Sequence, residues 1–372
     1  MGIEIRPYTI NEINAVKDFN RRLRKFGITY QFPETNIPEW LPKLDNRKIY
    51  QEYFLAVENN IKVRGAYILK HQEFVFYGEK LAIGYYHLPI SEGIINKDYF
   101  FIGSQMLRNA LKRQPFLFAS GMSSPEELLP QLLKVMAWNI FSIPFFFKIN
   151  NPQPFLKNIT VLRKTFPKKL LTFIISITGV GWVTIKMLHD LIRKEKFQSD
   201  LLVYEVVADF SCWADELWEA CKSKYAVIAV RDSSILNILY ACNSDRFIRV
   251  KVLQQNKVIG WAVVLNTIMS NHKQFGNMRV GSIVDCLALP SNASKVVVAA
   301  TDYLENAGVD LIVSNQSHNL WCSAFQNAGY IKGPSNFIFA ASKKLSGLID
   351  PFESNKTNIH LTRGDVDGPI HL

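Results

Sequence analysis

The chain has 372 residues, 48% of them hydrophobic and 12% aromatic, with 43 Lys and Arg against 32 Asp and Glu for a formal net charge of +11. That length and apolar content allow two packed cores of ordinary size and exclude a disordered or fibrous chain. There is no long Gly/Ser, Gln/Asn or Pro-rich tract, and the five cysteines (212, 221, 242, 286, 322) form no CxxC pair, which predicts reduced thiols in a cytoplasmic protein and no metal site.

The opening MGIEIRPYT alternates as a strand, with no basic-then-apolar leader before it. In chain order the pattern predicts a strand over 4–8 and a helix over 11–25, capped by Thr9 or Asn11, then a loop holding Pro33, Pro38 and Pro42. An antiparallel meander follows over 53–58, 63–71 and 81–88, with Asn59-Asn60 as its turn. A helix over 97–112, a strand over 116–119, a helix over 125–137 and a strand over 143–148 complete the first half.

Residues 151–200 carry 9 basic and 3 acidic side chains, whereas 201–372 carry 15 of each. Within that basic stretch, 170–188 (LLTFIISITGVGWVTIKML) is apolar and flanked by Arg163, Lys164, Lys168 and Lys169 before it and by Arg193, Lys194 and Lys196 after it. Its wide apolar face predicts packing between the two halves or contact of 163–196 with an anionic membrane surface, with a spanning helix as the third alternative. Beyond it the pattern repeats: strand 203–207, helix 215–220, strands 247–253, 258–266 and 279–287, helix 295–306, strand 311–314, helix 319–327 and strand 335–341.

The two halves also echo each other in letters. Asn60-Ile61-Lys62-Val63-Arg64-Gly65-Ala66 answers Asn256-Lys257-Val258-Ile259-Gly260-Trp261-Ala262, and Gly84-Tyr85-Tyr86-His87-Leu88-Pro89 answers Asp285-Cys286-Leu287-Ala288-Leu289-Pro290. A repeat of this length means two copies of one domain rather than a solenoid. Strand–helix, antiparallel meander, helix, strand, helix, strand is the order of the GNAT acyltransferase superfamily, and the chain resembles a tandem GNAT protein over nearly all of 1–345. The stretch 310–341 carries the likeness most strongly. YHLPISEG (86–93) and LTRGDVD (361–367) are like the GNAT-like proteins of bacterial polysaccharide gene clusters, with a distant similarity to Fem-type ligases.

The resemblance implies an α/β (α+β) fold of two GNAT-like domains, each a mixed, mostly antiparallel sheet flanked by helices. They span 1–150 and 201–345, with a basic, apolar linker at 151–200 and a polar tail at 346–372. It implies acyl-CoA as co-substrate and transfer of the acyl group to an amine or hydroxyl of a cell-envelope sugar or related metabolite. GNAT enzymes cradle the CoA pyrophosphate on backbone N–H groups in a Gln/Arg-x-x-Gly-x-Gly/Ala turn, where side chains would block approach. Ser91, Gly93 and Gly103 take that place in the first copy at a different spacing, and Asn315 and Asn319 stand nearby in the second, whose 291–295 stretch has no glycine. The reaction centre falls where the fourth and fifth strands part, which points to His87 and Glu92 in the first copy and Asp285 in the second. Asp285, a carboxylate in an otherwise apolar strand, is the strongest candidate base, or else a structural carboxylate bonded to a neighbouring turn. Two further readings stay open: a non-catalytic binding protein at a membrane surface, and an aminoacyl-tRNA-dependent ligase. A nucleic-acid partner is not expected, because the excess charge avoids the second copy.

Overall fold

The computed structural model of the chain describes residues 2–122, 127–158 and 202–369. Two units divide it: Met1–Ser142 with Asn336–Asn355, and Ile143–Ser335 with Lys356–Leu372. The helix expected over 170–188 and the basic segment 163–196 lie outside the described residues, and among those described no helix is long and apolar enough to cross a membrane.

In the first half the chain runs β1 (Ile3–Pro7), α1 (Ile13–Lys25), β2 (Tyr50–Glu58), β3 (Lys62–Phe76), β4 (Glu79–Ser91), α2 (Ile102–Arg113), β5 (Leu117–Met122), α3 (Leu128–Val135), β6 (Asn139–Ser142), β7 (Phe145–Ile149) and α4 (Pro152–Asn158). The second half runs β8 (Leu202–Val207), α5 (Cys212–Cys221), β9 (Val227–Ala229), α6 (Ser233–Leu239), β10 (Ile248–Gln254), β11 (Lys257–Ile268), β12 (Arg279–Ala288), α7 (Ala293–Asn306), β13 (Leu311–Asn315), α8 (Asn319–Asn327), β14 (Ile331–Gly333), β15 (Phe337–Ala341) and β16 (Ile359–His360).

In the first unit the strand order is β1-β2-β3-β4-β5-β15-β6, antiparallel except for the parallel pair β4/β5. Alternation sorts the sheet into two faces. Leu55, Val57, Val63, Ala66 and Ile68 meet Val16, Phe19 and Leu23 of α1, which recur at helical spacing. Phe54, Ala56, Tyr67 and Leu69 meet Ile102, Met106, Leu107 and Ala110 of α2. Each large side chain buried this way stabilises the fold by about 1.5–3 kcal/mol relative to exposure. Asn20 ties down the proline-rich loop, its Nδ2 donating to Phe32 O at 2.8 Å and its Oδ1 accepting from Phe32 N at 3.0 Å.

The second unit repeats the plan as β14-β7-β13-β12-β11-β10-β8, with β12/β13 the parallel pair; β9 and β16, outside this sheet, pair with each other in parallel. Gly65 on β3 and Gly260 on β11 explain the first echo in the sequence. A Cβ at Gly65 would stand 2.8 Å from the Ile102 side chain of α2, and one at Gly260 would run into Val296 of α7. Both positions are where a helix crosses its sheet, and only glycine leaves the space. The second echo is out of register: Leu88-Pro89 lies inside β4, whereas Pro290 opens the turn after β12. Gly65 pairs with Ser91 and Ile68 with His87, while Gly260 pairs with Ala288 and Val263 with Asp285. By partner, His87 and Asp285 therefore occupy equivalent places, and each strand carries a one-residue bulge here: Leu88 and Pro89 together face Tyr67 in the first copy, with Leu88 at φ 46°, and Val284 is the extra residue in the second.

The units are discontinuous where a division at 150 and 201 is linear. β15 of the second half lies between β5 and β6, and β7 of the first half lies between β13 and β14. The strand expected over 143–148 is β7, and a further strand that the sequence did not suggest, β6, precedes it in the other sheet, separated from it by Ile143-Pro144. Pro334 stands in the matching link between β14 and β15. Proline, with φ fixed near −65°, does not suit the positive-φ positions of a tight hairpin turn, and here each strand continues into the other sheet. The tail is likewise built in: residues 361–366 are all buried.

Candidate functional site

The feature common to both sheets is a parallel pair that parts. In the second unit the last paired residues are Ile283 and Ser314, and β12 continues to Ala288 without a partner on β13. The chain's own tail fills that gap. Thr362 pairs with Gln316 just beyond the end of β13, and its Oγ1 donates to Asp285 Oδ1 on β12 at 2.9 Å, so one residue bonds both diverging strands. Leu361 N donates to Ser317 Oγ at 2.8 Å.

Beneath Thr362 lies a charged cluster with almost no exposure: Arg231 at 1%, Asp285 at 2% and Asp365 at 4%. Arg231 Nη2 donates to Asp285 Oδ1 at 3.0 Å and to Asp365 Oδ1 at 2.8 Å, and Arg231 Nη1 to Ala229 O at 3.1 Å. Tyr240 Oη donates to Asp285 Oδ2 at 2.9 Å and Cys286 N to Oδ1 at 2.9 Å. Burial raises the Asp365 carboxyl above the usual carboxylate range against the pull of Arg231, and burial with Asp285 alongside raises the Tyr240 phenol. Gly364 lies so close to Asp285 and Tyr240 that any Cβ there would collide with both. With its oxygens taken up in this way, Asp285 reads as a structural carboxylate. Asn315 is also buried, donating to Pro144 O at 3.3 Å, and Asn319 accepts from Leu320 N at 2.6 Å in the first turn of α8.

In the first unit the strands part after Gly84↔Leu117 and Tyr85↔Phe118, and β4 continues to Ser91. His87 stands just past that point, half-buried, its ring stacked on Tyr85 at 5.0 Å. Ser91 Oγ accepts from Gly93 N at 3.1 Å. Gly93 is pressed against the backbone of Tyr99 and Phe100, 2.7 Å from Tyr99 O for a virtual Cβ, so its missing side chain serves chain packing. Glu92 is held elsewhere: its Oε1 accepts from Arg22 Nε at 3.0 Å and Arg64 Nη1 at 2.9 Å, and its Oε2 from Arg22 Nη2 at 3.0 Å. Arg64 also binds Glu58, holding that carboxyl below the usual range. These pairs pin the loop after β4 to α1, β2 and β3, which is a positioning role.

Gly103 is different. It lies in the first turn of α2, which no side chain caps, and a Cβ there would meet only Leu132 at 3.8 Å. Ile102 stands over Gly65, and Gly65 pairs with Ser91, so the uncapped helix end rises at the end of β4 that has parted from β5. The N–H groups of such a turn suit an anion. The second residue of α7 is Ser294 where that of α2 is glycine, and Lys295 Nζ donates to Asn292 Oδ1 at 3.1 Å and Gln254 Oε1 at 2.9 Å.

Sequence reasoning missed Tyr85, Arg231, Thr362 and Asp365. Arg231 follows an apolar run (AVIAV) and carries the same signal of a lone charge among hydrophobics that singles out Asp285.

No family profile matches the chain, and no curated protein matches it in sequence. Solved structures do match in shape. A GCN5-related N-acetyltransferase from Anabaena variabilis superposes with a TM-score of 0.55 at 8% identity, covering 91% of this chain and 72% of that one. Saccharomyces cerevisiae N-myristoyltransferase with bound myristoyl-CoA gives 0.51 at 11% identity, covering 91% and 78%. The chain has a GNAT fold, with two mixed sheets flanked by helices.

Proposed function

We propose that the protein is an acyltransferase whose acyl-CoA binds in the first copy alone. The observation that carries this reading is the contrast between the two gaps: β12/β13 is filled by the tail, with Thr362 bonded to both strands, whereas β4 and β5 part beside an uncapped helix end. Diverging parallel strands leave backbone N–H and C=O groups facing the gap. An extended arm with amide groups, such as the pantetheine of CoA, pairs with them as an added strand would. The pyrophosphate then meets the N–H groups of Ile102, Gly103 and Ser104, where the absent Cβ at Gly103 allows close approach.

His87 is the group placed to take a proton from an attacking amine or hydroxyl, since Glu92 and Asp285 are spent in ion pairs. The acceptor class suggested by the sequence resemblance, a cell-envelope sugar or related metabolite, belongs to the same proposal. Calorimetric titration of the intact chain with acetyl-CoA tests the donor. One mole bound per mole of protein is expected, and absence of binding by folded protein would sink the reading. Release of free CoA thiol on adding amino sugars tests the acceptor.

A further inference from the structure

Resting on that reading of the first copy, we propose that Tyr85 closes the inner end of the β4/β5 gap and restricts the donor to short acyl groups. Tyr85 is the last residue of β4 paired with β5, opposite Phe118, and its ring stacks on the Phe118 ring at 4.9 Å and 10°. The side chain does not stay on its own strand. Its Oη donates at 2.8 Å to the carbonyl of Ser120, two residues further along β5 in the direction in which the strands part. A carbonyl that continued pairing would have turned toward β4 is thus satisfied by a phenol, and the aromatic ring lies across the closed end of the gap.

The ring is backed by a solid layer. Tyr85 is 1% exposed and Phe118 0%, and Phe118 stacks in turn on Phe339 at 5.3 Å, itself 3% exposed. Ser120 Oγ donates to Ile338 O at 2.7 Å, fixing the β5 residue to which Tyr85 is tied against β15. Tyr86, the next residue, points to the opposite face among the α2 contacts, so the barrier stands on the face away from that helix. In the proposal the thioester sulfur lies near the Leu88-Pro89 bulge and its acyl chain runs toward the Tyr85 ring, which stops all but a short group. A longer chain must displace a buried, hydrogen-bonded, stacked ring.

The test is a calorimetric series on the intact chain with CoA, acetyl-CoA, butyryl-CoA and octanoyl-CoA, repeated on Tyr85→Ala and on Tyr85→Leu. The leucine variant keeps an apolar side chain in the layer, and thermal unfolding establishes that each variant is folded. Octanoyl-CoA is expected to bind the wild type at least roughly tenfold more weakly than acetyl-CoA, with the gap closing or reversing in either variant. Equal affinity across chain lengths in the wild type, with CoA itself bound, would overturn the role of Tyr85 and leave the donor site standing. Failure of CoA and every thioester to bind would overturn the site and Tyr85's role together.

Discussion

At the scale of single residues, the fate of a charge in an apolar strand depends on what lies opposite. Asp285 is surrounded by Arg231, Tyr240, Thr362 and a backbone N–H, and Asp365 completes the cluster around the same guanidinium. Removing one partner of a buried pair leaves the other charge unsolvated, at a typical cost of about 3–5 kcal/mol. Asp285→Ala is therefore expected to lower urea-unfolding stability by about that amount while acetyl-CoA affinity stays at the wild-type value. Wild-type stability combined with lost turnover would return Asp285 to a catalytic role.

Two buried histidines give the second unit a pH dependence. Burial holds His318 down to about 4, and burial with Arg231 nearby puts His360 well below its ordinary value. Neither ring nitrogen of His360 has a hydrogen-bond partner among the described residues, and the ring packs edge-on to Tyr225 at 4.8 Å and Trp321 at 5.6 Å. Below about 6.5 the unfolded chain protonates these groups and the folded chain does not, so stability falls as pH drops from there toward 4. His360→Phe keeps the ring contacts and removes one titration. The urea midpoint should then fall less steeply between pH 7 and 4.5; an unchanged slope would contradict the assignment.

At the scale of elements, much of the fold was legible in the sequence. The Gly65/Gly260 echo marks the same helix crossing in both sheets, and periodicity located the meander strands and α1 within a few residues. Partnership between strands was not legible. Nothing in the composition of Phe145–Ile149 or Phe337–Ala341 says which sheet receives it, because an apolar strand suits either; only Pro144 and Pro334 hint that the hairpins are broken. The predicted helix over 97–112 begins instead at Ile102, since Asn96 Oδ1 accepts from Asp98 N and closes a separate turn at Lys97–Tyr99. The exchange of β7 and β15 has a direct consequence. Fragments 1–158 and 202–372 each lack a strand from within a sheet, so neither should show a cooperative thermal transition alone, while co-expression should yield a folded pair. A cooperative transition with near-UV circular dichroism from 1–158 by itself would contradict the exchange.

At the scale of the whole molecule, one fold is present twice with different outcomes. The second copy spends its strand gap on the chain's own tail, and in the proposed reading the first keeps its gap for the donor. Of the candidate residues in the sequence, the structure commits Glu92, Asp285, Gly93 and Asn315 to holding the chain together, and the proposal assigns chemistry to His87 and binding to Gly103. That distinction was out of reach of the sequence, because a buried carboxylate poised for catalysis and one tied into an ion pair look alike until the partners, Arg231 and Thr362 at 54 and 77 positions away in the case of Asp285, are brought beside it.

The most direct test places one negative charge at each helix end in the intact chain. Gly103→Asp and Ser294→Asp occupy the same position in the first turns of α2 and α7, where a carboxylate suits the helix dipole and repels a phosphate. Acetyl-CoA calorimetry should show binding reduced at least roughly tenfold by Gly103→Asp, through loss of the charge-assisted contacts, and unchanged by Ser294→Asp. Loss of binding in Ser294→Asp with full binding in Gly103→Asp would contradict the assignment of the donor site to the first copy.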